Sequence, residues 1–277
     1  MAARRDYRGL TVVITGAAGG LGSVLCRRFG AAGARVVALD IDGTRAEALA
    51  ADLQALGVPA LGLACDVSDE AACRAAMARA TEAYGCIDVL VNNAGISARC
   101  LLRDAQPEVT RRVMAVNFFG AVLATQAALE SLIARRGQIV VISSIAGFSP
   151  LVGRTAYAAS KHALHGFFDS LRSELRGGGV DILLVCPSFI ATSIESSALG
   201  GDGRMLGAPR KTVGGEATPD EVAQRIVGAA RARERQCLPA LTARLAWWIS
   251  RLAPRAYERL MLRRVGAEFD LSLRSPE

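Results

Sequence analysis

Six short runs of this chain are built mostly from Val, Ile, Leu and Ala, at residues 10–15, 35–40, 60–65, 87–92, 138–143 and 180–186. Each is bounded by Gly, Asp, Asn, Ser or Pro, and each reads as a strand buried on both faces. Between them, segments 20–32, 44–56, 69–84, 106–134 and 155–176 carry apolar residues at helical spacing. Strands that alternate with helices make βαβ units, which build a parallel sheet with right-handed crossovers. After Pro187 the alternation breaks down. Residues 196–215 hold six glycines, so 193–215 are expected to be a mobile substrate loop. A helix resumes at 219–233, with Thr218 as N-cap ahead of Pro219. No repeat or linker divides the chain. One catalytic domain is expected over 1–238, with 239–277 as a helical extension of it.

Composition narrows the class. Apolar residues make up 51% and charged residues 21% of the 277 positions, enough for a sizeable core and unlike a disordered chain. No run approaches about 18 consecutive apolar residues, and the first ten residues lack the apolar stretch of a secretory signal, so neither span nor export is expected. The seven cysteines are scattered and form no C-x-x-C pair, which suits reduced thiols in the cytoplasm. Only His162 and His165 are available as imidazoles, read as packing or helix-surface residues, and no metal site is expected. The net charge of +7 lies mainly in the tail: residues 231–277 carry ten Arg against five Asp or Glu.

The first strand runs directly into Thr15-Gly16-Ala17-Ala18-Gly19-Gly20-Leu21-Gly22 and then a helix. Such a turn offers free backbone N–H groups and a positive helix end to a diphosphate, with Gly16, Gly20, Leu21 and Gly22 closest to it. Asp40 ends the second strand 18 residues beyond Gly22. A carboxylate there can accept both ribose hydroxyls of NAD and repel the 2′-phosphate of NADP. A turn or cap is the other use of Asp40, and Asp42 competes for the ribose. Asp66, ahead of Val67, suits either the adenine amine or a cap for the helix near Asp69. Asn93, Ala94 and Gly95 form a turn at the carboxyl edge of the fourth strand, where doubly wound sheets bind ligands.

Tyr157 and Lys161 stand four apart on one helix face. With four Tyr and two Lys in the chain, chance supplies about 0.03 such pairs. A phenol titrates near 10, and an adjacent ammonium lowers that value and prepares the oxygen for proton transfer. Ser144, ending the fifth strand, can hydrogen-bond a substrate oxygen, while Ser143 points the other way. Asn117 is a polar residue in an apolar helix and needs a partner; a water beside Lys161 would serve. The bland uses of these residues are core packing for Tyr157, a solvated face for Lys161 and a turn for the serines.

In this order and spacing, Thr15–Gly22, Asp66, Asn92–Gly95, Asn117, Ser144, Tyr157 and Lys161 resemble the short-chain dehydrogenase/reductase family, over about residues 8–235. The resemblance implies a Rossmann-type, doubly wound α/β sheet of about seven strands and hydride transfer between a nicotinamide and an alcohol or carbonyl carbon. It implies Tyr157 as acid/base, Lys161 on the nicotinamide ribose, Ser144 on the substrate oxygen and Asn117 with a relay water. Pro187 and Thr192 would flank the carboxamide. Ser188 departs from the family's Pro-Gly at this point. The resemblance also implies a homodimer or homotetramer.

The tail from Leu238 to Val265 interleaves Leu241, Leu245, Trp247, Trp248, Leu252, Leu260 and Leu262 with six arginines, and Pro254 splits it into two amphipathic helices. It can pack on its own or a partner subunit, or touch an anionic membrane peripherally through 239–265. No nucleic-acid module is visible. The expected activity is an NAD-favouring oxidoreductase for an apolar secondary alcohol or ketone, with Leu101, Leu102, Ile194, Leu199, Met205 and Leu206 around the substrate. NADPH with an Arg45 phosphate contact is one alternative, and a non-catalytic cofactor-binding scaffold is another.

Overall fold

The computed structural model describes residues 4–192, 197–207, 216–269 and 271. Its centre is a seven-stranded sheet in which each neighbouring pair is parallel. The strands are β1 (Thr11–Thr15), β2 (Arg35–Asp40), β3 (Ala60–Ala64), β4 (Val89–Asn92), β5 (Gln138–Ile142), β6 (Asp181–Val185) and β7 (Gln236–Cys237), in the order β3-β2-β1-β4-β5-β6-β7. This is the parallel α/β sheet that the strand–helix alternation predicts, in the Rossmann-type, doubly wound form that the family resemblance implies. Strand order reverses between β1 and β4, so the loops leaving these two strands diverge and open a crevice at the carboxyl edge.

Period-two side-chain alternation makes two cores from the same strands. Val12, Ile14, Val36 and Ala38 face α1 (Gly20–Ala31), α2 (Gly43–Ala55) and α7 (Pro219–Arg231). Val13, Val37 and Leu39 face α3 (Glu70–Tyr84), α5 (Gly120–Ala134) and α6 (Thr155–Glu174) on the opposite side. The middle residues of β1, β2, β4, β5 and β6 are apolar and buried because helices cover both faces of the sheet.

The single helix expected over 106–134 is instead interrupted. It comprises α4 (Pro107–Met114), a π-turn at Ala115–Phe119 and then α5. By length and composition Pro107–Ala134 is apolar enough to cross a membrane. In the fold its two halves pack on α3 and α6.

Pro254 divides the tail as its ring requires, into α8 (Leu241–Leu252) and α9 (Pro254–Val265). These helices pack together and onto the domain. Tyr257, Met261 and Val265 make a small core with Leu151, Ala246, Ile249 and Phe269. The Arg251 guanidinium lies 4.0 Å over the Trp247 ring and 5.7 Å from the Phe148 ring. Phe269 presses closely on Gly153, at φ +67°, so that any side chain there would have to push the Phe269 ring aside. The extension is therefore clamped to residues 148–153, directly before α6.

The substrate loop is only partly within the described residues: residues 193–196, Ile194 among them, and 208–215 lie outside them. Of the loop's other apolar residues, Leu199 bridges to Ala98 and is buried against Val109 and Val113, while Met205 and Leu206 are exposed. None of these three lines the cleft, nor does Leu101 or Leu102. Five residues of the expected substrate wall thus stand away from the cleft, and the sixth, Ile194, lies outside the described residues. The strand-like pairing of Leu199 turns it inward to cover α4.

Candidate active site

A cleft of about 600 Å³ runs along the carboxyl edge of the sheet. One end is formed by the turn after β1. No side chain caps α1, and its first turn carries no acid, so its leading N–H groups face the cleft unopposed. Gly16 sits at φ +62°, and a Cβ on it would come within 2.8 Å of Ala94 Cα. A Cβ on Gly22 would collide with Gly16 O. These glycines are required by the tight turn itself. Thr192 lies over the same turn, since a Cβ on Gly20 would meet its Cγ2 at 3.0 Å.

Asn93 holds this turn from the β4 side. Its Nδ2 donates to Thr15 O at 2.9 Å and Gly16 O at 3.0 Å. Thr15 Oγ1 in turn accepts from the N–H groups of Asn93 and Ala94, each at 3.1 Å. The sequence reading missed Thr15 as a pin between the two loops of the switch point. Only its place beside the glycines hinted at it.

Asp40 is fixed at the tip of β2, accepting from Ala18 N–H at 2.9 Å through Oδ2 and from Asp42 N–H at 3.1 Å through Oδ1. Asp42 caps α2 through Arg45 N–H and does not line the cleft. Of the two acids, then, Asp40 is the one that reaches the cleft. Arg45 lies beside it, its guanidinium donating to Ala18 O at 2.7 Å. Asp66 accepts from both the N–H and the hydroxyl of Ser68, whereas the cap of α3 is Asp69. Asp66 and Val67 line the cleft beside Cys65.

The other end gathers Ser144, Tyr157 and Lys161 with Pro187 and Ser188. Ser144 Oγ accepts from Ala146 N–H at 3.2 Å, which leaves its hydroxyl proton to donate elsewhere. Ser143 is buried behind it on His165 Nε2 at 3.0 Å. Burial lowers the His165 pKa to about 4, so this imidazole is neutral at pH 7. Helical spacing brings Lys161 Nζ to 5.7 Å from the Tyr157 ring centroid. Nζ donates one hydrogen to Ile142 O at 2.9 Å, and two donors remain. Burial pulls the Lys161 ammonium down to about 8.

The π-turn aims Asn117 across this end. Its Oδ1 accepts from Ile96 N–H at 2.8 Å, and its Nδ2 donates to Ile96 O at 2.9 Å and Ser160 Oγ at 3.0 Å. Gly95 passes between Asn117 and Lys161, where a Cβ would stand 3.3 Å from Asn117 Oδ1 and 3.6 Å from Nζ. Around the substrate end, Ile96, Val116, Ile145, Leu151 and Phe189 supply apolar wall, with Arg112 and Arg154 among them. Arg154 is buried and donates to Ser97 Oγ at 2.8 Å. No sequence spacing signals that pairing. No group of three or more potential metal ligands exists among the described residues.

A doubly wound sheet with a glycine cradle at its switch point and a Tyr–Lys pair at the same edge defines a nucleotide-dependent oxidoreductase. A family model described as short chain dehydrogenase matches residues 10–200. Dehydrogenase/reductase SDR family member 7B of Bos taurus is 38% identical, over 96% of this chain and 84% of that protein. Dehydrogenase/reductase SDR family protein 7-like of Anopheles gambiae is 37% identical, over 94% of this chain and 84% of its own length. A crystal structure of a short chain dehydrogenase/reductase SDR from Burkholderia phymatum in complex with NAD matches with a TM-score of 0.80 at 25% identity, covering 97% of this chain and 100% of that one. The chain belongs to the short-chain dehydrogenase/reductase family and is an oxidoreductase.

Proposed function

We propose that the chain interconverts an apolar secondary alcohol and its ketone, with NAD favoured over NADP. The observation that carries this is the convergence of the Ser144 hydroxyl, Tyr157 and the buried Lys161 on the end of a glycine-cradled cleft. When bound, the nicotinamide supplies the hydride acceptor or donor. The N–H groups of Gly16, Gly20, Leu21 and Gly22 would hold its diphosphate, Asp40 its adenosine ribose, and Asp66 and Val67 its adenine. Asn93, Ala94 and Gly95 form the floor, Pro187 and Thr192 the carboxamide end, and Lys161 the second ribose.

Tyr157 takes the hydroxyl proton in oxidation and returns it in reduction, while Ser144 donates a hydrogen bond to the same substrate oxygen. The Lys161 ammonium favours the phenolate. Asn117 ties Ile96 to Ser160, the residue before Lys161, and so fixes the lysine. With its side chain committed in this way, the relay water falls to the main chain of the π-turn. The apolar wall of Ile96, Val116, Leu151 and Phe189 supports a lipid-, steroid- or acyl-like substrate. A scaffold without turnover would have no use for the full Ser–Tyr–Lys set.

NADPH-dependent ketone reduction is the second reading, favoured by the Arg45 guanidinium beside Asp40. We place the activity in the cytoplasm, where the free cysteines stay reduced, in a homodimer or homotetramer that covers the exposed Phe119 and Ile133. Titration with NADH and NADPH, followed by a panel of secondary alcohols, tests the proposal. Tighter NADH binding and turnover of apolar alcohols support it. Tighter NADPH binding would overturn the Asp40 assignment, and turnover of small polar alcohols alone would overturn the substrate class.

A further inference from the structure

The face of α8 opposite its packed side is apolar. Leu241, Leu245, Trp248 and Leu252 recur at intervals of four, three and four residues and are 70%, 52%, 57% and 76% exposed. Ala243, Ala246 and Ile249 occupy the inward side. On the adjoining α9, Arg255, Arg259 and Arg263 recur every four residues, all exposed, while Tyr257, Met261 and Val265 hold that helix to the domain. Across 241–265 there are six arginines and one acid, Glu258. Arg251 is committed to the Trp247 and Phe148 rings, but the other five arginines have no such anchor among the contacts described.

We propose that α8 and α9 dock the protein on an anionic lipid surface, with the α8 stripe entering the acyl boundary and the α9 arginines meeting headgroup phosphates. A second copy of the chain is the competing occupant, and charge argues against it. A two-fold contact through these two helices would bring their surplus of five positive charges against the same surplus on the other copy. The stripe also offers only about 500 Å² of side chain, short of the roughly 800 Å² per partner that a stable interface buries. An anionic bilayer satisfies both features at once. Docking there has a consequence for the site. α8 touches the turn Ile145–Gly147 that follows Ser144, and Leu151 belongs both to the α9 core and to the cleft wall. The substrate end of the cleft is therefore held against the lipid-facing extension, where an apolar substrate would arrive.

Vesicle co-sedimentation tests this without any assay of turnover. The full chain sediments with phosphatidylcholine vesicles containing about a third phosphatidylglycerol, and at least about tenfold less with phosphatidylcholine alone. Both the Leu245→Ser/Trp248→Ser/Leu252→Ser variant and the Arg255→Gln/Arg259→Gln/Arg263→Gln variant lose about tenfold or more in binding. Each still binds cofactor like the parent, which shows that it has folded. The proposal fails if the parent stays in the supernatant at low salt, or if either folded variant sediments as the parent does. It also fails if light scattering shows that the apolar-stripe variant has turned a dimer into a monomer, which would assign the surface to a second copy.

Discussion

Lys161 is wholly buried, and burial holds its ammonium at about 8 against an ordinary value of 10.5. The folded value lies below the unfolded one, so between those limits the folded chain binds fewer protons. Stability therefore rises with pH across the window from about 8 to 10.5, and the penalty is fully present below about 8. Its size is about 3 kcal/mol at pH 7. Lys161→Met replaces the ammonium with an apolar chain of similar length and removes that cost, but leaves Ile142 O without its donor, a loss of about 1 kcal/mol. The variant is then more stable by about 2 kcal/mol at pH 7 and weaker than its parent above about pH 10.5. Urea unfolding at both ends of the window measures this. Comparing Tyr157→Phe with Tyr157→Phe/Lys161→Met keeps the neighbouring phenol out of the titration. Lys161→Met alone loses turnover while gaining stability. A Met variant no more stable than its parent at pH 7, or a difference indifferent to pH, would mean that Lys161 carries no such burial cost.

Gly22→Ala drives a methyl into Gly16 O, and NADH affinity should fall by tenfold or more in a fluorescence titration. Asp40→Ser removes the carboxylate beside Arg45, and the ratio of NADPH to NADH affinity should rise about tenfold, measured by the same titration. Gly153→Ala both strains a left-handed backbone position and displaces Phe269, so it should lower stability by at least about 1 kcal/mol. Trypsin should then cut the arginines of α8 and α9 faster than in the parent, which a time course on a gel shows.

Features that rest on neighbouring residues were legible in the sequence. The sheet could be read because strands buried on both faces need continuous apolar runs, and the glycine turn because its tight geometry tolerates little else. The Tyr157–Lys161 pairing follows from one helical turn. Features set by contacts distant in sequence were not. The π-turn at Ala115–Phe119 shifts the helix by one residue without changing its apolar character, so 106–134 reads as uninterrupted. Leu199 reads as a lid residue until its bridge to Ala98 buries it. The Arg154–Ser97 bond spans 57 residues, and nothing local marks either partner. The strand-end position favoured Asp40, but Asp42, two residues on, competed for the ribose. Only the fold separates the one that faces the cleft from the one that caps α2.

In the proposed reaction Tyr157 is the group that moves the substrate proton. Tyr157→Phe keeps the ring and removes one oxygen, so steady-state turnover of the best secondary alcohol, set beside NADH affinity of the same preparation, tests it most directly. Turnover should fall by about a thousandfold with NADH affinity within a few-fold of the parent. A variant that binds NADH normally and keeps more than about a tenth of the parental rate would contradict it.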